Sequence, residues 1–273
     1  MPTRRTALAL GGGVALAIVA TGTALHGTTR HGPSGKPAGS ASRALVAAAD
    51  GLPGPEQPAF VVGKPVRLSR GEPRARFAPV MEAVVARREP RESAAPVAEL
   101  SRETPEGTAN IVLVVGARTK EDGQWIRVRL PVLPNGEIGW VPRRVLGGYR
   151  FVHTRLVVDR ERFTATLFSN GRAVFRAPIG VGRPQWPTPT GEFYIRDKLR
   201  GFGNPFYGPI AYGTSARSAV LTDWPGGGFV GIHGTNEPEL IPGRISHGCI
   251  RMRNRDILRL SRLMPVGTPL TID

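Results

Sequence analysis

From about Val80 to Asp273, turn residues cut the chain into apolar runs too short for ordinary helices. Val84-Val85-Ala86, Ile111 to Val115, Trp125 to Leu130 and Ile138 to Val141 follow one another, with Asp122-Gly123 and Pro134-Asn135-Gly136 between them. Apolar and polar residues alternate along Trp125-Ile126-Arg127-Val128-Arg129-Leu130, the period-two pattern of a half-buried strand. Short strands at this spacing favour a small barrel or sandwich. The pattern continues beyond Tyr149 with Arg155 to Val158, Phe163 to Leu167, Ala173 to Phe175, Gly191 to Ile195 and Leu270 to Ile272. Ser169-Asn170-Gly171 predicts a hairpin, because Asn and Gly both tolerate positive φ. Helical periodicity emerges once, after Cys249: Asn254 is suited to an N-cap, Ile257, Leu260 and Met264 share a face, and Pro265 stops the run. The expected fold is therefore mainly β with one clear helix.

Residues 26–78 are expected to be a linker: to about Pro58 they are mostly Gly, Pro, Ser and Ala. That composition buries too little apolar surface to offset the entropy of ordering. Ahead of them, Thr3-Arg4-Arg5-Thr6 and an apolar stretch from Ala7 to about Leu25 have the form of an export signal. Residues 1–25 are read as a cleaved signal or a retained membrane anchor. The location expected is the extracytoplasmic face of the cell envelope. A lipoprotein is excluded, because the only cysteine, Cys249, is far from the signal.

The net charge is +16, carried by 33 Arg and 4 Lys, and part of that skew reads as codon bias. Charge of this size favours polyanions such as acidic wall polymers. Nucleic acid is a poor partner for this chain: no helix-turn-helix, aromatic RNA-binding signature or cysteine pair is present, and the export signal removes it from most nucleic acid.

Cys249 lies in Ile245-Ser246-His247-Gly248-Cys249-Ile250-Arg251-Met252, with His233 upstream in Ile232-His233-Gly234-Thr235-Asn236. A lone thiol in an exported chain has no intrachain disulfide partner, so it is either a buried structural residue or a reactive one. Two histidines and flanking glycines favour reactivity. A nearby His⁺ is expected to hold the thiolate at neutral pH. The N–H groups of Gly248 and Cys249 are candidate donors to an oxyanion. Zinc on Cys249 and the histidines is disfavoured, since no fourth ligand is evident nearby and the spacing matches no common pattern. No metal or other cofactor is expected.

The pair Ile232-His233-Gly234-Thr235-Asn236 and Ser246-His247-Gly248-Cys249-Ile250-Arg251-Met252 resembles the active-site signature of YkuD-type L,D-transpeptidases. Pro189-Thr190-Gly191-Glu192-Phe193 and Gly267-Thr268-Pro269-Leu270 extend the likeness over about residues 150 to 273. The resemblance implies a β-sandwich catalytic domain at 149–273, with Cys249 as nucleophile and His233 as general base and acid. Gly234 would orient that histidine through its carbonyl, and Ser246, His247 and Gly248 would shape and polarise the site. Arg251 would meet a substrate carboxylate or brace the loop, and Thr235 would also contact substrate. The implied substrates are peptidoglycan stem peptides: Cys249 would release D-Ala from a tetrapeptide and form 3→3 cross-links, or hydrolyse it if water attacks. Carbapenems would acylate the same thiol. Residues 79–148 resemble a bacterial SH3-like barrel, through Gly123-Gln124-Trp125-Ile126-Arg127-Val128 and Gly136-Glu137-Ile138-Gly139-Trp140-Val141. Trp125 and Trp140 are expected in its core. A wall-binding protein with a decayed site is the alternative to an enzyme, but none of the signature residues is missing.

Overall fold

A computed structural model describes residues 74–200, 204–222 and 227–273, together with the backbone of a short strand, Val66–Arg67. The expected signal and most of the expected linker lie outside the described residues. The described residues form one compact unit, built on two sheets and, among those residues, one α-helix, Asn254–Leu263.

The first sheet has eight strands: β1 (Val66–Arg67), β2 (Ala75–Pro79), β3 (Val84–Arg87), β4 (Pro96–Leu100), β5 (Ile111–Lys120), β6 (Gly123–Arg129), β7 (Ile138–Pro142) and β8 (Arg150–Val152). Their order is β4-β3-β7-β6-β5-β2-β8, with β1 also beside β5, and each pairing is antiparallel. Ile126 and Val128 of the alternating strand β6 face the core cluster, whereas Trp125, next to Ile126 and so on the other face, and Trp140 on β7 are buried outside that cluster. This sheet begins inside the stretch expected as linker and ends inside the one expected as catalytic domain. Ala75, Phe77 and Ala78 are buried in β2, and β2 pairs with β8.

The second sheet has ten strands: β9 (Thr154–Asp159), β10 (Thr164–Ser169), β11 (Arg172–Pro178), β12 (Gly180–Gly182), β13 (Gly191–Arg200), β14 (Ile210–Arg217), β15 (Phe229–His233), β16 (Gly243–Ser246), β17 (Ile250–Arg251) and β18 (Pro269–Ile272). They run in the order β11-β10-β9-β18-β13-β14-β15-β17-β12-β16. The expected hairpin joins β10 to β11, with Ser169 opposite Arg172 and both turn residues at positive φ, Asn170 at 48° and Gly171 at 79°. Three pairings are parallel, β9 with β18, β15 with β17, and β12 with β16. One contiguous core takes Leu167 and Phe175 from one end of the sheet and Ile232, Ile250 and Met252 from near the other, so the sheet curls over itself.

The helix adds Ile257 and Leu260 to that core, and Met264 just past its end is also buried, as the spacing predicts. Its N-cap, however, is Arg253, and no side chain caps it. Asn254 instead accepts a hydrogen bond from the Thr235 N–H at 2.9 Å. A local rule placed Asn254 on its own helix end, whereas the loop after β15 competes for the same oxygen and wins.

Between the sheets Tyr194 of β13 is fully buried against Phe77, Ile111 and Leu113, and its hydroxyl donates to the Ile111 carbonyl at 3.0 Å. Asn135 exchanges two hydrogen bonds with the Arg217 backbone, at 2.7 and 2.9 Å.

Candidate active site

The site is set by the register of two strands. β15 and β17 run parallel, with Ile232 opposite Ile250 and His233 opposite Arg251. Both isoleucines are fully buried in the core. Side chains alternate along a strand, so Gly231 and His233 face the opposite way from Ile232, and Arg251 faces the opposite way from Ile250. Cys249, one residue before Ile250, falls next to Gly231. The Gly231 N–H donates to Cys249 Sγ at 3.3 Å. A Cβ placed on Gly231 would lie 3.7 Å from Cys249 Sγ and 3.7 Å from His233 Cδ2. The missing side chain of Gly231 is thus the slot between thiol and imidazole.

His233 Nδ1 lies 2.6 Å from the Gly234 carbonyl oxygen. A carbonyl only accepts, so Nδ1 carries the proton and Nε2 is left as the basic atom. Nε2 is buried without a hydrogen-bond partner. Burial, with a smaller contribution from the Arg251 charge, lowers the His233 pKa to about 4 against the opposing pull of the Gly234 carbonyl. Burial also raises the Cys249 pKa, more than the Gly231 N–H and Arg251 lower it. Each group is therefore held in its uncharged form. The sequence suggested an imidazolium holding a thiolate; the surroundings favour a neutral thiol beside a neutral base. The reason is desolvation of both groups, His233 at 1 % exposure and Cys249 half-buried in the cleft, which their spacing in the chain does not reveal.

Gly234 is required where it stands. A Cβ there would collide with Asn254 Oδ1 and lie 3.0 Å from the Gly208 Cα. Close approach of these three residues fixes the carbonyl that orients His233. Thr235 is 1 % exposed, and its hydroxyl accepts from the Glu237 N–H at 3.1 Å. Arg251 is 4 % exposed, pairs with Glu237 at 3.0 Å and lies 4.2 Å over the Phe206 ring. Of the two roles read for Arg251, this placement suits bracing the loop.

The turn carrying Cys249 is tied from within. Ser246 Oγ donates to the Cys249 carbonyl at 2.6 Å and accepts from the Gly248 N–H at 3.1 Å. Gly248 was expected to donate to an oxyanion, but its N–H is already engaged by Ser246. Its φ of 115° suits glycine alone. The His247 ring packs on Trp186 with 4.2 Å between centroids. Thr188, from the loop after β12, accepts from the Gly182 N–H at 2.8 Å and donates to the Gly248 carbonyl at 2.7 Å.

These residues open on a cleft with about 440 Å³ of empty space, lined by His233, Ser246, His247, Cys249 and Arg251 and walled by Phe206, Tyr207, Phe229 and Val230. Tyr207 meets the His233 ring edge-on at 5.0 Å. A neutral thiol, a base with an unshared electron pair and a partly apolar cleft together suit nucleophilic attack on a carbonyl. The structure thus brings the expected residues together, with Thr235 and Arg251 turned to structural contacts. It also adds Gly231, Thr188, Asn254 and the aromatic wall.

The family model YkuD, the L,D-transpeptidase catalytic domain, matches residues 153–272. YkuD of Bacillus subtilis (strain 168) is 42% identical over 110 residues, spanning 40% of this chain and 60% of that protein. YkuD of Bacillus licheniformis is 35% identical over 145 residues, spanning 52% of this chain and 81% of that protein. The NMR structure of the Enterococcus faecium L,D-transpeptidase catalytic domain is 27% identical and covers 44% of this chain and 96% of that one. Its TM-score of 0.33 is too low to bear on the fold. With the signature residues gathered around one cleft and four-fifths of a relative's length matched, the chain belongs to the YkuD family of L,D-transpeptidases.

Proposed function

We propose that this chain cross-links peptidoglycan by acyl transfer through Cys249. The observation that carries this reading is the β15–β17 register, which sets the thiol near an imidazole whose Nε2 has no hydrogen-bond partner. As Sγ attacks the carbonyl joining the third stem residue to the terminal D-Ala, Nε2 takes the thiol proton. The resulting imidazolium then protonates the departing D-Ala amine, and a thioester remains on Cys249. An amine from a neighbouring stem, the side chain of its third residue, attacks the thioester; His233 accepts its proton and returns it to the departing Cys249 thiolate. The product is a 3→3 cross-link. Water in place of the amine gives carboxypeptidase activity, and a carbapenem would acylate the same sulfur.

The basic start and apolar run at 1–25 support an exported protein at the cell envelope, and the +16 charge suits an anionic wall. We assign the first sheet, β1 to β8, as an SH3-like support for the catalytic half.

Cys249→Ala is expected to abolish D-Ala release and dimer formation from tetrapeptide muropeptides, with the thermal midpoint little changed. Activity retained in that variant would contradict the assignment.

A further inference from the structure

Thr188 lies 61 residues before the nucleophile, in the run Pro187-Thr188-Pro189. Proline fixes its own φ and restricts the residue before it to extended backbone, so Thr188 is held from both sides. Its side chain is 1 % exposed, and its hydroxyl is used twice, accepting from Gly182 and donating to the Gly248 carbonyl. The strand beneath is shaped for this: a Cβ on Gly182 would lie 2.5 Å from the Thr188 nitrogen.

The Gly248 carbonyl and the Cys249 N–H belong to one trans peptide, and in a trans peptide they point in opposite directions. A carbonyl anchored on the buried Thr188 hydroxyl therefore turns the Cys249 N–H away from that anchor. Glycine restrains its own torsions weakly, so Gly248 by itself would leave this peptide free to rotate. The neighbouring Gly248 N–H is engaged by Ser246 and cannot substitute. We infer that Thr188 is a positioning residue, which locks the Gly248–Cys249 peptide so that the Cys249 N–H meets the oxyanion formed when Sγ adds to a carbonyl. The inference rests on the acyl-transfer reading, but it requires no particular acyl donor.

The test compares two reactions of the same sulfur. Acylation by p-nitrophenyl acetate forms an oxyanion, whereas alkylation by iodoacetamide displaces iodide and forms none. The full chain carries a single cysteine, so the part of a mass increase that is lost in Cys249→Ala reports on that site. In Thr188→Val, acylation is expected to slow at least about tenfold, part of the ~10²–10³ lost when an oxyanion donor is removed outright. Alkylation should stay within about threefold of wild type, as alkylation needs the thiol but no such donor. Thr188→Ser, which keeps the hydroxyl, should restore acylation. Thr188→Ala carries the same expectation as Val if Val does not fold. Equal acylation in wild type and Thr188→Val or Ala would overturn the inference alone. A parallel loss of both reactions that Ser does not rescue would also overturn it, leaving Thr188 a purely structural residue. If wild type is alkylated but not acylated, the acyl-transfer reading fails and the inference falls with it.

Discussion

Burial acts on Cys249 and His233 in opposite directions along the pKa scale, raising the thiol and lowering the imidazole to about 4. The pair then rests uncharged, and charge separates only as the carbonyl is attacked. A neutral imidazole is the form able to accept the thiol proton, so its low pKa keeps the base ready down to mildly acidic pH. The same shift predicts how stability depends on pH. In the unfolded chain His233 titrates near 6.5 and in the fold near 4, so the unfolded state binds the extra proton first. Its contribution is complete above about pH 6.5 and is lost as pH falls towards 4; a shift of this size corresponds to about 3 kcal/mol. The urea midpoint of wild type should therefore fall across that window, and fall less in His233→Asn. An equally steep fall in the variant would show that other groups set the acid limit. The histidine and cysteine were legible as residues, but their protonation states were not, because depth of burial is a property of the packed fold.

Strand pairing decides which neighbours those residues meet. The β10–β11 hairpin was readable from Asn170-Gly171, because its information is local. The parallel pairing of β15 with β17 has no such local signal, and the loop between them gives no register. That is why Gly231 went unread as a site residue, although it lies in the same strand as His233. The same limit applies to Asn254, whose partner Thr235 is nineteen residues away. Gly231→Ala tests the slot. Its new Cβ would make ordinary contacts, at 3.5 Å from the Tyr212 carbonyl oxygen and 3.7 Å from the thiol and the ring, so the variant should fold. Stability is expected to change by less than about 1 kcal/mol. D-Ala release should fall at least about tenfold, a share of the ~10²–10⁴ that a well-placed general base supplies. Unchanged release would mean that the proton takes another path.

At the scale of the whole molecule, the two sheets are joined by polar contacts that no strand pattern announces. Arg196 on β13 is 2 % exposed and pairs with Glu106, from the turn between β4 and β5, at 2.6 Å and with Asp197 at 3.4 Å. Its guanidinium lies 3.8 Å from the centroid of Phe229, which walls the cleft. Removing Glu106 leaves a buried cation with one carboxylate, so Glu106→Ala should destabilise the chain by about 1–3 kcal/mol, below the ~3–5 of a wholly broken buried pair. Glu106→Gln should cost less, and a change under about 0.5 kcal/mol in the Ala variant would show that the contact is incidental. Alternation and turn residues made the β class readable, whereas Tyr194, Arg196 and Asn135 join the two sheets through contacts distant in sequence. All of this architecture serves one sulfur. The most direct test of the account is the intact mass of the chain, quenched in acid shortly after mixing with a tetrapeptide stem. The expected result is a gain equal to the stem tripeptide acyl group, located on Cys249, with D-Ala released in step. Release of D-Ala with no adduct on Cys249, or an adduct on another residue, would contradict it.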